Sequence, residues 1–263
     1  MIGRKTMAGA LSAVLVWALM AAPVPAGAAV RAEIAVDVGH TLLAPGATSA
    51  RGRTEFEFNH ELALALRAAL NTLGFAVRLI NEDGRVASLQ ARPQAAEGAD
   101  LLLSLHHDSV NAFELQSWQW RGQTLDFNDD HAGHSLFVSR DNPDTAHSVL
   151  CARVIGARLQ RMGFMPTHKN GRRRAYADPE HAVHYYDGLA VLRHARMPAV
   201  LFEAGVIKNR DEELLLRDPA RIARMADGIA TAVAACLLYG EPADDERAAD
   251  GPGRQRANAE DAP

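Results

Sequence analysis

The sequence predicts one α/β domain with a mostly parallel (mixed), twisted sheet of about six strands and helices on both faces. Short apolar runs alternate with longer segments of helical periodicity, the pattern of strand–helix–strand units. Several of the runs are apolar throughout, as expected of strands buried on both faces. The chain has 263 residues and is 48% hydrophobic, which is enough for one sizeable core.

The first half of the chain alternates strands with helices. A strand is predicted at 33–38, where EIAVDV precedes a Gly-His turn. A helix follows at 56–73, because apolar residues recur at helical spacing and the pattern stops before Gly74. Residues 75–80 predict a second short strand, and residues 86–97 predict a weaker helix.

The middle of the chain supplies the remaining strands. Residues 101–105 (LLLSL) predict a fully buried strand, and residues 135–139 (SLFVS) predict another. A strongly periodic segment predicts a helix at 145–162. Two further apolar runs, 189–192 and 199–202, predict the last two strands.

A long helix at 219–239 closes the predicted domain, which covers residues 29–240. Its first residue is proline, which suits the first turn of a helix. Two long stretches, 109–134 and 164–188, are predicted to be irregular, and loops of that length are usually functional or mobile. Residues 241–263 are acidic with almost nothing to bury, and predict a disordered tail.

The amino terminus has the pattern of a secretory signal peptide at residues 1–28. Arg4 and Lys5 precede an uncharged, mostly apolar run at 7–22, and small residues follow at 26–28. Cleavage near Ala28 would deliver a periplasmic or secreted protein. No later segment is long and apolar enough to predict a membrane span in the mature protein.

The charge of the chain and its cysteine content argue against some partners and some classes of fold. The formal net charge is −4, which argues against nucleic acid as a partner because phosphate binding needs a concentrated basic face. Two cysteines, Cys151 and Cys236, are too few for a disulfide scaffold or a cysteine-rich zinc module. Both lie in apolar, helix-like segments, so two buried thiols are favoured over one disulfide.

Four chemically reactive side chains stand at places where α/β folds collect ligands. His40, His106 and Glu203 follow or end predicted strands, and Glu55 begins the first long helix. Two imidazoles and one carboxylate around an open position are typical of a catalytic zinc site. A second carboxylate nearby can act as a general base. Each residue alone is weak evidence, but the four together favour a catalytic zinc site.

Four motifs occur in a fixed order along residues 33–240. They are DVGH at 37–40, a Gly-Ala step at 46–47 leading to Glu55 and Asn59, SLHHD at 104–108, and PAVLFEAGVIKN at 198–209. Together they resemble the motifs of the zinc-dependent N-acetylmuramoyl-L-alanine amidases, the amidase type 3 catalytic domain of bacterial cell-wall enzymes. Thr41 and His107 depart from the usual pattern.

The resemblance implies a role for each matched residue. His40, Glu55 and His106 would bind Zn²⁺, and Glu203 would be the catalytic acid/base. The substrate would be peptidoglycan, cleaved at the amide between the lactyl group of N-acetylmuramic acid and the L-alanine of the stem peptide. We expect a monomer, and a protein activator is left open as a second partner.

Several assignments have alternatives. Glu57 competes with Glu55 as a ligand, but Glu55 is favoured because Asn59 then falls in register. Asp37 either orients a ligand histidine or caps nearby backbone. Arg172, Arg173 and Arg174 either contact stem-peptide carboxylates or form a solvated basic turn.

Other side chains in the long stretches also suggest functions. The histidine pairs 131/134 and 181/184 have the spacing of metal ligands but lie in loop-like sequence. Trp118 and Trp120 either contact glycan or a partner, or pin their loop to the core. Two rival functions remain: a zinc peptidase or deacylase acting on another amide, and a catalytically silent peptidoglycan-binding regulator.

Overall fold

A central sheet organises the structure, a computed structural model that describes residues 32–239. The predicted signal peptide and acidic tail lie outside these residues. The strands of the described part are β1 (Glu33–Val38), β2 (Ala76–Ile80), β3 (Leu101–Asp108), β4 (Gln116–Trp120), β5 (Gln123–Phe127), β6 (Ser135–Val138), β7 (Tyr176–Asp178), β8 (Val183–Tyr185) and β9 (Ala199–Val206). Its α-helices are α1 (Glu55–Thr72), α2 (Ala91–Ala95), α3 (Thr145–Arg161), α4 (Ala190–Arg193), α5 (Arg210–Leu216) and α6 (Pro219–Tyr239).

Seven of the strands form one mixed sheet in the order β2-β1-β3-β9-β6-β8-β7. The strands β2, β1, β3 and β9 are parallel to one another, and β8 is parallel to β6, whereas β6 is antiparallel to β9 and β7 is antiparallel to β8. The strands β4 and β5 form a separate antiparallel hairpin. The predicted α/β class with a mostly parallel, mixed sheet is therefore confirmed, with seven strands in place of about six.

The two faces of the sheet pack against different helices. Alternate residues of β1, β3 and β9 join apolar side chains of α1, α3 and α6 in the larger core, for example Leu103, Phe202 and Ile229. The intervening residues face a smaller core beside α2 and α4, which contains Leu102 and Leu201. Because side chains of a strand alternate between faces, each strand contributes to both cores.

The cysteine prediction is wrong. Cys151 on α3 and Cys236 on α6 form a disulfide, with their Cα atoms 5.1 Å apart. The two residues are 85 positions apart in the sequence, and only the packing of α3 against α6 brings them within bonding range.

Two predicted elements and the two stretches predicted to be irregular also differ from the structure. Residues 189–192 were expected to be a strand, but Ala190–Arg193 is the short helix α4, because a short apolar run has no periodicity that separates strand from helix. The helix expected at 86–97 is only Ala91–Ala95. The stretches expected to be irregular contain the β4–β5 hairpin and the strands β7 and β8.

Helix α5 was not predicted. Its start is nevertheless encoded locally, because the side chain of Asn209 accepts hydrogen bonds from the backbone N–H groups of Asp211 and Glu212. Across residues 32–239, no helix combines the length and apolar character needed to cross a membrane.

Candidate metal and catalytic site

The site lies at the edge of the sheet where β1, β3 and β9 end. These strands are adjacent and parallel, so their carboxyl ends meet at the same edge. His40 follows β1, His106 lies near the end of β3, and Glu203 lies in β9 directly beside His106 in the register. Glu55, the first residue of α1, completes the group.

Two imidazoles converge on one carboxylate oxygen. His40 Nε2 is 2.9 Å from Glu55 Oε1, and His106 Nδ1 is 3.0 Å from the same atom. The three potential ligand atoms lie within 4.8 Å of one another. The structure thus brings together the three residues for which the sequence predicted a common site.

Two glycines make room for this convergence. A Cβ atom at Gly39 would lie 2.4 Å from His106 Nε2, and one at Gly46 would lie 2.4 Å from Glu55 Oε2 and 2.6 Å from the His40 ring. Gly46 also has a φ of 79°, which disfavours other residues. Any side chain at either position would push the three groups apart.

Glu55 is held as a carboxylate by its surroundings. Its Oε2 accepts a hydrogen bond from the backbone N–H of Ala47, and its Oε1 accepts one from the N–H of His107. Burial alone would raise the pKa of Glu55, but hydrogen bonds and charge interactions with His106 and His40 outweigh burial and hold the pKa well below its usual value.

The backbone of His40 is strained and firmly held. Its φ is 67°, a left-handed conformation that is uncommon outside glycine. The carbonyl oxygen of His40 accepts hydrogen bonds from Asn81 Nδ2 at 2.7 Å and from Arg92 Nη2 at 2.5 Å. These buried donors fix the loop that carries the imidazole.

Asp37 contributes through Arg92. One oxygen of Asp37 pairs with Arg92 Nη1 at 2.9 Å, and the other accepts a hydrogen bond from Ser104 Oγ at 2.7 Å. Asp37 therefore orients His40 only indirectly, by positioning the guanidinium that binds its carbonyl. Arg92 and Asn81 were missed in the sequence, since neither belongs to a recognisable motif.

Asn59 on α1 and His107 on β3 support the site through hydrogen bonds. Asn59 Nδ2 donates to the carbonyl of Gly39, and Asn59 Oδ1 lies 2.8 Å from His107 Nδ1. Burial lowers the pKa of His107 to about 3, so this ring is neutral. The neutral ring donates its Nδ1–H to Asn59, which explains how a histidine is accommodated at this position.

Glu203 has the environment of an acid/base group. Its Oε2 is buried and has no hydrogen-bond partner among the described residues. Burial, reinforced by the negative charges of Asp108 and Glu55, raises the pKa of Glu203 well above its usual value. A raised pKa makes the carboxylate a stronger base, as required of a group that first accepts a proton and then delivers it.

The donor set fits zinc. Two imidazole nitrogens and one carboxylate oxygen form a common catalytic zinc set, in which ligand atoms about 2.0–2.2 Å from the ion lie roughly 3.4 Å from one another. The three ligand atoms here already lie within 4.8 Å, and the glycine-lined space leaves them unobstructed. Among residues 32–239, His40, Glu55 and His106 are the group of three potential ligands that lie close enough together to share one ion.

Comparison with known proteins agrees with the motifs. The model of the N-acetylmuramoyl-L-alanine amidase family matches residues 34–235. The chain belongs to this family. The match includes nearly all of the central sheet and all four residues of the site, and it supports the resemblance seen in the sequence.

Individual relatives of this family member are distant. "Probable cell wall amidase LytH" of Staphylococcus epidermidis is 24% identical over 187 residues, which are 70% of this chain and 51% of that protein. The chain thus spans about half the length of this curated relative. The crystal structure of an N-acetylmuramoyl-L-alanine amidase from Clostridium difficile 630 is similar, with a TM-score of 0.64, 19% identity, and coverage of 80% of this chain and 99% of that one.

A third similar structure includes a partner protein. It is the CwlD amidase from Clostridioides difficile in complex with the GerS lipoprotein, with a TM-score of 0.61 and 20% identity. The alignment covers 79% of this chain and 99% of CwlD. At these identities the solved structures show the shared fold.

Two cavities of different character flank the amidase-family site. One lies beside His40 and His106, has a volume of about 310 Å³, and is walled mainly by aliphatic side chains such as Leu43, Leu89 and Val191. The other, of similar volume, lies beyond Asp108, and its walls carry Lys169 and the three predicted arginines Arg172, Arg173 and Arg174. We call these the apolar cavity and the basic cavity.

The remaining predicted candidates have other surroundings. Glu57 is about half exposed and accepts hydrogen bonds from the backbone and hydroxyl of Thr54 at the start of α1, so it stabilises the helix terminus. Trp118 donates its indole N–H to the carbonyl of Ala50 and stacks on Trp120. This contact pins the β4–β5 hairpin to the loop before α1.

The histidine pairs do not behave as ligand pairs. His131 contacts Glu114, whereas His134 is buried against Phe202. His181 bonds to Gln160, and His184 packs against aromatic rings inside the sheet. The members of each pair therefore have separate environments.

Proposed function

We propose that this family member is a zinc hydrolase that cleaves the amide between the lactyl group of N-acetylmuramic acid and the L-alanine of the stem peptide. The observation that carries the proposal is the convergence of His40 and His106 on Glu55, with Glu203 on the neighbouring strand. Family membership supports the choice of substrate.

In this proposal His40, Glu55 and His106 would hold the metal, and Glu203 moves the proton. His40, Glu55 and His106 would be the zinc ligands, and the chemistry supplied by zinc in such a set is Lewis acidity towards the scissile carbonyl and the attacking water. Glu203 accepts a proton from the water as the new C–O bond forms. It then delivers this proton to the amide nitrogen as the C–N bond breaks, because an amine leaves poorly unless it is protonated.

Product analysis tests the proposal. Purified sacculi would be digested with the protein, and the products identified by mass spectrometry with chelator, without chelator, and after zinc is restored. We expect stem peptides that begin with L-alanine and glycan strands that lack peptide, a loss of activity with chelator, and recovery with zinc. Muramic acid that keeps its L-alanine would indicate a peptidase instead, and no release of material would indicate a protein without this activity.

We also propose that the protein works outside the cytoplasm. The predicted signal peptide at 1–28 motivates this, and the Cys151–Cys236 disulfide supports it because disulfides persist in oxidising compartments. Fractionation of cells that express the full chain checks it, since accumulation of uncleaved protein in the cytoplasm would contradict export. The complex of CwlD with a lipoprotein motivates a search for a protein activator in the same fractions.

A further inference from the structure

The basic cavity lies directly beside the proposed acid/base group. Asn170, in its wall, donates hydrogen bonds to Asp108 Oδ2 at 3.1 Å and to Ser135 Oγ at 3.3 Å. Ser135 is the register partner of Glu203 on the antiparallel strand β6. The wall of the cavity is therefore bonded to the residue next to Glu203 in the sheet.

The positive charge of this cavity is not balanced by its own acids. Lys169 pairs with Asp108 at 2.8 Å, and Glu114 lies 3.3 Å from His131. These are the acidic side chains in the wall. The three arginines at 172–174 form no ion pair with any carboxylate of the described residues. The cavity thus presents three guanidinium groups without counter-charges.

Arg174 is the arginine best prepared to bind an anion. Its guanidinium carbon lies 3.8 Å from the centroid of the Tyr186 ring, and its Nη1 makes a long hydrogen bond of 3.4 Å to Asn170 Oδ1. Its Nε is buried and lacks a hydrogen-bond partner among the described residues. Stacking fixes the plane of the guanidinium, so less entropy is lost when it binds a carboxylate.

The position of Glu203 orients the substrate. The group that protonates the departing nitrogen must reach that nitrogen, so the amine half of the substrate must lie on the Glu203 side of the site. Ser135, the register partner of Glu203, bonds to Asn170 in the wall of the basic cavity, which places this cavity on the Glu203 side. The apolar cavity lies beside His40, and a carboxylate there would lose its hydration without compensation.

We propose that the basic cavity binds a carboxylate of the stem peptide, on the amine side of the scissile bond, with Arg174 as its main contact. This proposal rests on the proposed amidase function. It makes Arg174 a specificity-determining residue, which distinguishes a stem whose second residue carries a free carboxylate from one in which that group is an amide.

A pair of synthetic muropeptides tests the specificity. One is MurNAc-L-Ala-D-glutamate and the other is MurNAc-L-Ala-D-isoglutamine. In both, the γ-carboxyl group is blocked as a methylamide, so the two molecules differ only in whether the α-carboxyl group is a carboxylate or an amide. We expect the zinc-loaded protein to cleave the carboxylate form with a kcat/KM about 10- to 100-fold higher, the range for hydrogen bonds to a charged group. The variant Arg174→Gln should lose most of this preference, whereas Arg161→Gln, a matched charge change on the exposed side of α3, should keep it.

A binding measurement separates this proposal from the amidase activity itself. The peptide L-Ala-D-glutamate and its α-amide, both with the γ-carboxyl group blocked as a methylamide, would be titrated into the metal-free full chain by calorimetry. The measurement would use the wild type, Arg174→Gln and the more exposed Arg173→Gln. Tighter binding of the carboxylate by wild type, weakened in both variants and by added salt, supports the basic cavity even if neither muropeptide is cleaved. Equal affinity of wild type for the two peptides would overturn the assignment, whatever the hydrolysis assay shows.

Discussion

The two faces of the central sheet have different tasks, although the same strands build both. On one face, Leu101, Leu103 and Leu105 of β3 pack into the larger core with α1, α3 and α6. On the other face the same strand presents Leu102, Ser104 and His106, so its polar side chains appear only towards its carboxyl end. We call these the closed face and the site face.

The difference shows how a buried strand can present reactive side chains on one face while apolar packing on its other face keeps it stable. Alternation places every second residue on the closed face, where apolar packing holds the strand in register. The site face of the neighbouring strands then presents Asp37, Ser104, His106 and Glu203 at fixed spacings. Changes on the site face should therefore alter activity more than stability, and changes on the closed face should do the reverse.

The largest expected effect is on the site face, at Glu203. The variant Glu203→Gln keeps the size of the side chain but cannot transfer a proton. We expect hydrolysis of sacculi to fall by about 10²- to 10⁴-fold, the usual contribution of a general acid/base. Zinc content, measured by atomic emission, and the melting temperature should stay close to those of the wild type.

Glu57→Gln is the matched control for this variant. Glu57 is two residues from Glu55 but bonds to Thr54 at the helix terminus. The change should leave turnover close to wild type and cost about 1 kcal/mol of stability or less. Equal turnover by Glu203→Gln and wild type would remove Glu203 from the mechanism.

On the closed face, removal of the disulfide should lower stability and leave activity unchanged. Replacing Cys151 and Cys236 together by alanine frees a loop of 85 residues in the unfolded chain. Loop entropy predicts a loss of about 4.5 kcal/mol in the free energy of unfolding, measured by urea denaturation. Because the disulfide joins α3 to α6, far from the site face, kcat below the melting temperature should be unchanged. A large fall in kcat with an intact fold would show that the two faces are coupled.

Much of the difference between the closed face and the site face could be predicted from the sequence, because it follows local sequence patterns. The run LLLSLHHD predicts a buried strand that ends in histidines, and this is what β3 provides. His40, Glu55 and His106 could be grouped because they sit at strand or helix ends, which parallel topology brings to one edge. Their binding of zinc stays a prediction.

The features of the fold and the site that could not be predicted depend on contacts between segments that are distant in the sequence. Arg92 binds the carbonyl of His40 from a helix of only five residues with no periodic pattern. The disulfide needs α3 and α6 to be neighbours, which no local signal indicates. Arg174 reaches the cavity beside Asp108 only because residues 164–188 fold back over the sheet edge in β7 and β8.

The smallest of the three predicted effects is a loss of stability at acid pH that arises from His134 on the closed face. His134 is buried beside Phe202, and burial lowers its pKa from 6.5 to about 4, helped by the charges of Arg221 and His181 and opposed by a backbone contact with Met165. The unfolded chain therefore binds a proton between these two pH values that the folded chain does not bind. The contribution of neutral His134 to the free energy of unfolding is fully present above pH 6.5 and falls as the pH drops towards 4. Below pH 4 it does not change further.

The loss from His134 should reach about 3 kcal/mol at pH 4, and His134→Phe isolates it. Phenylalanine fills a similar volume and does not titrate, so the difference in unfolding free energy between variant and wild type should move by this amount in favour of the variant between pH 7 and pH 4. Urea denaturation at both pH values measures it. A difference that is independent of pH would mean that the ring takes up its proton inside the fold, and that the closed face is more accessible to water than its packing indicates.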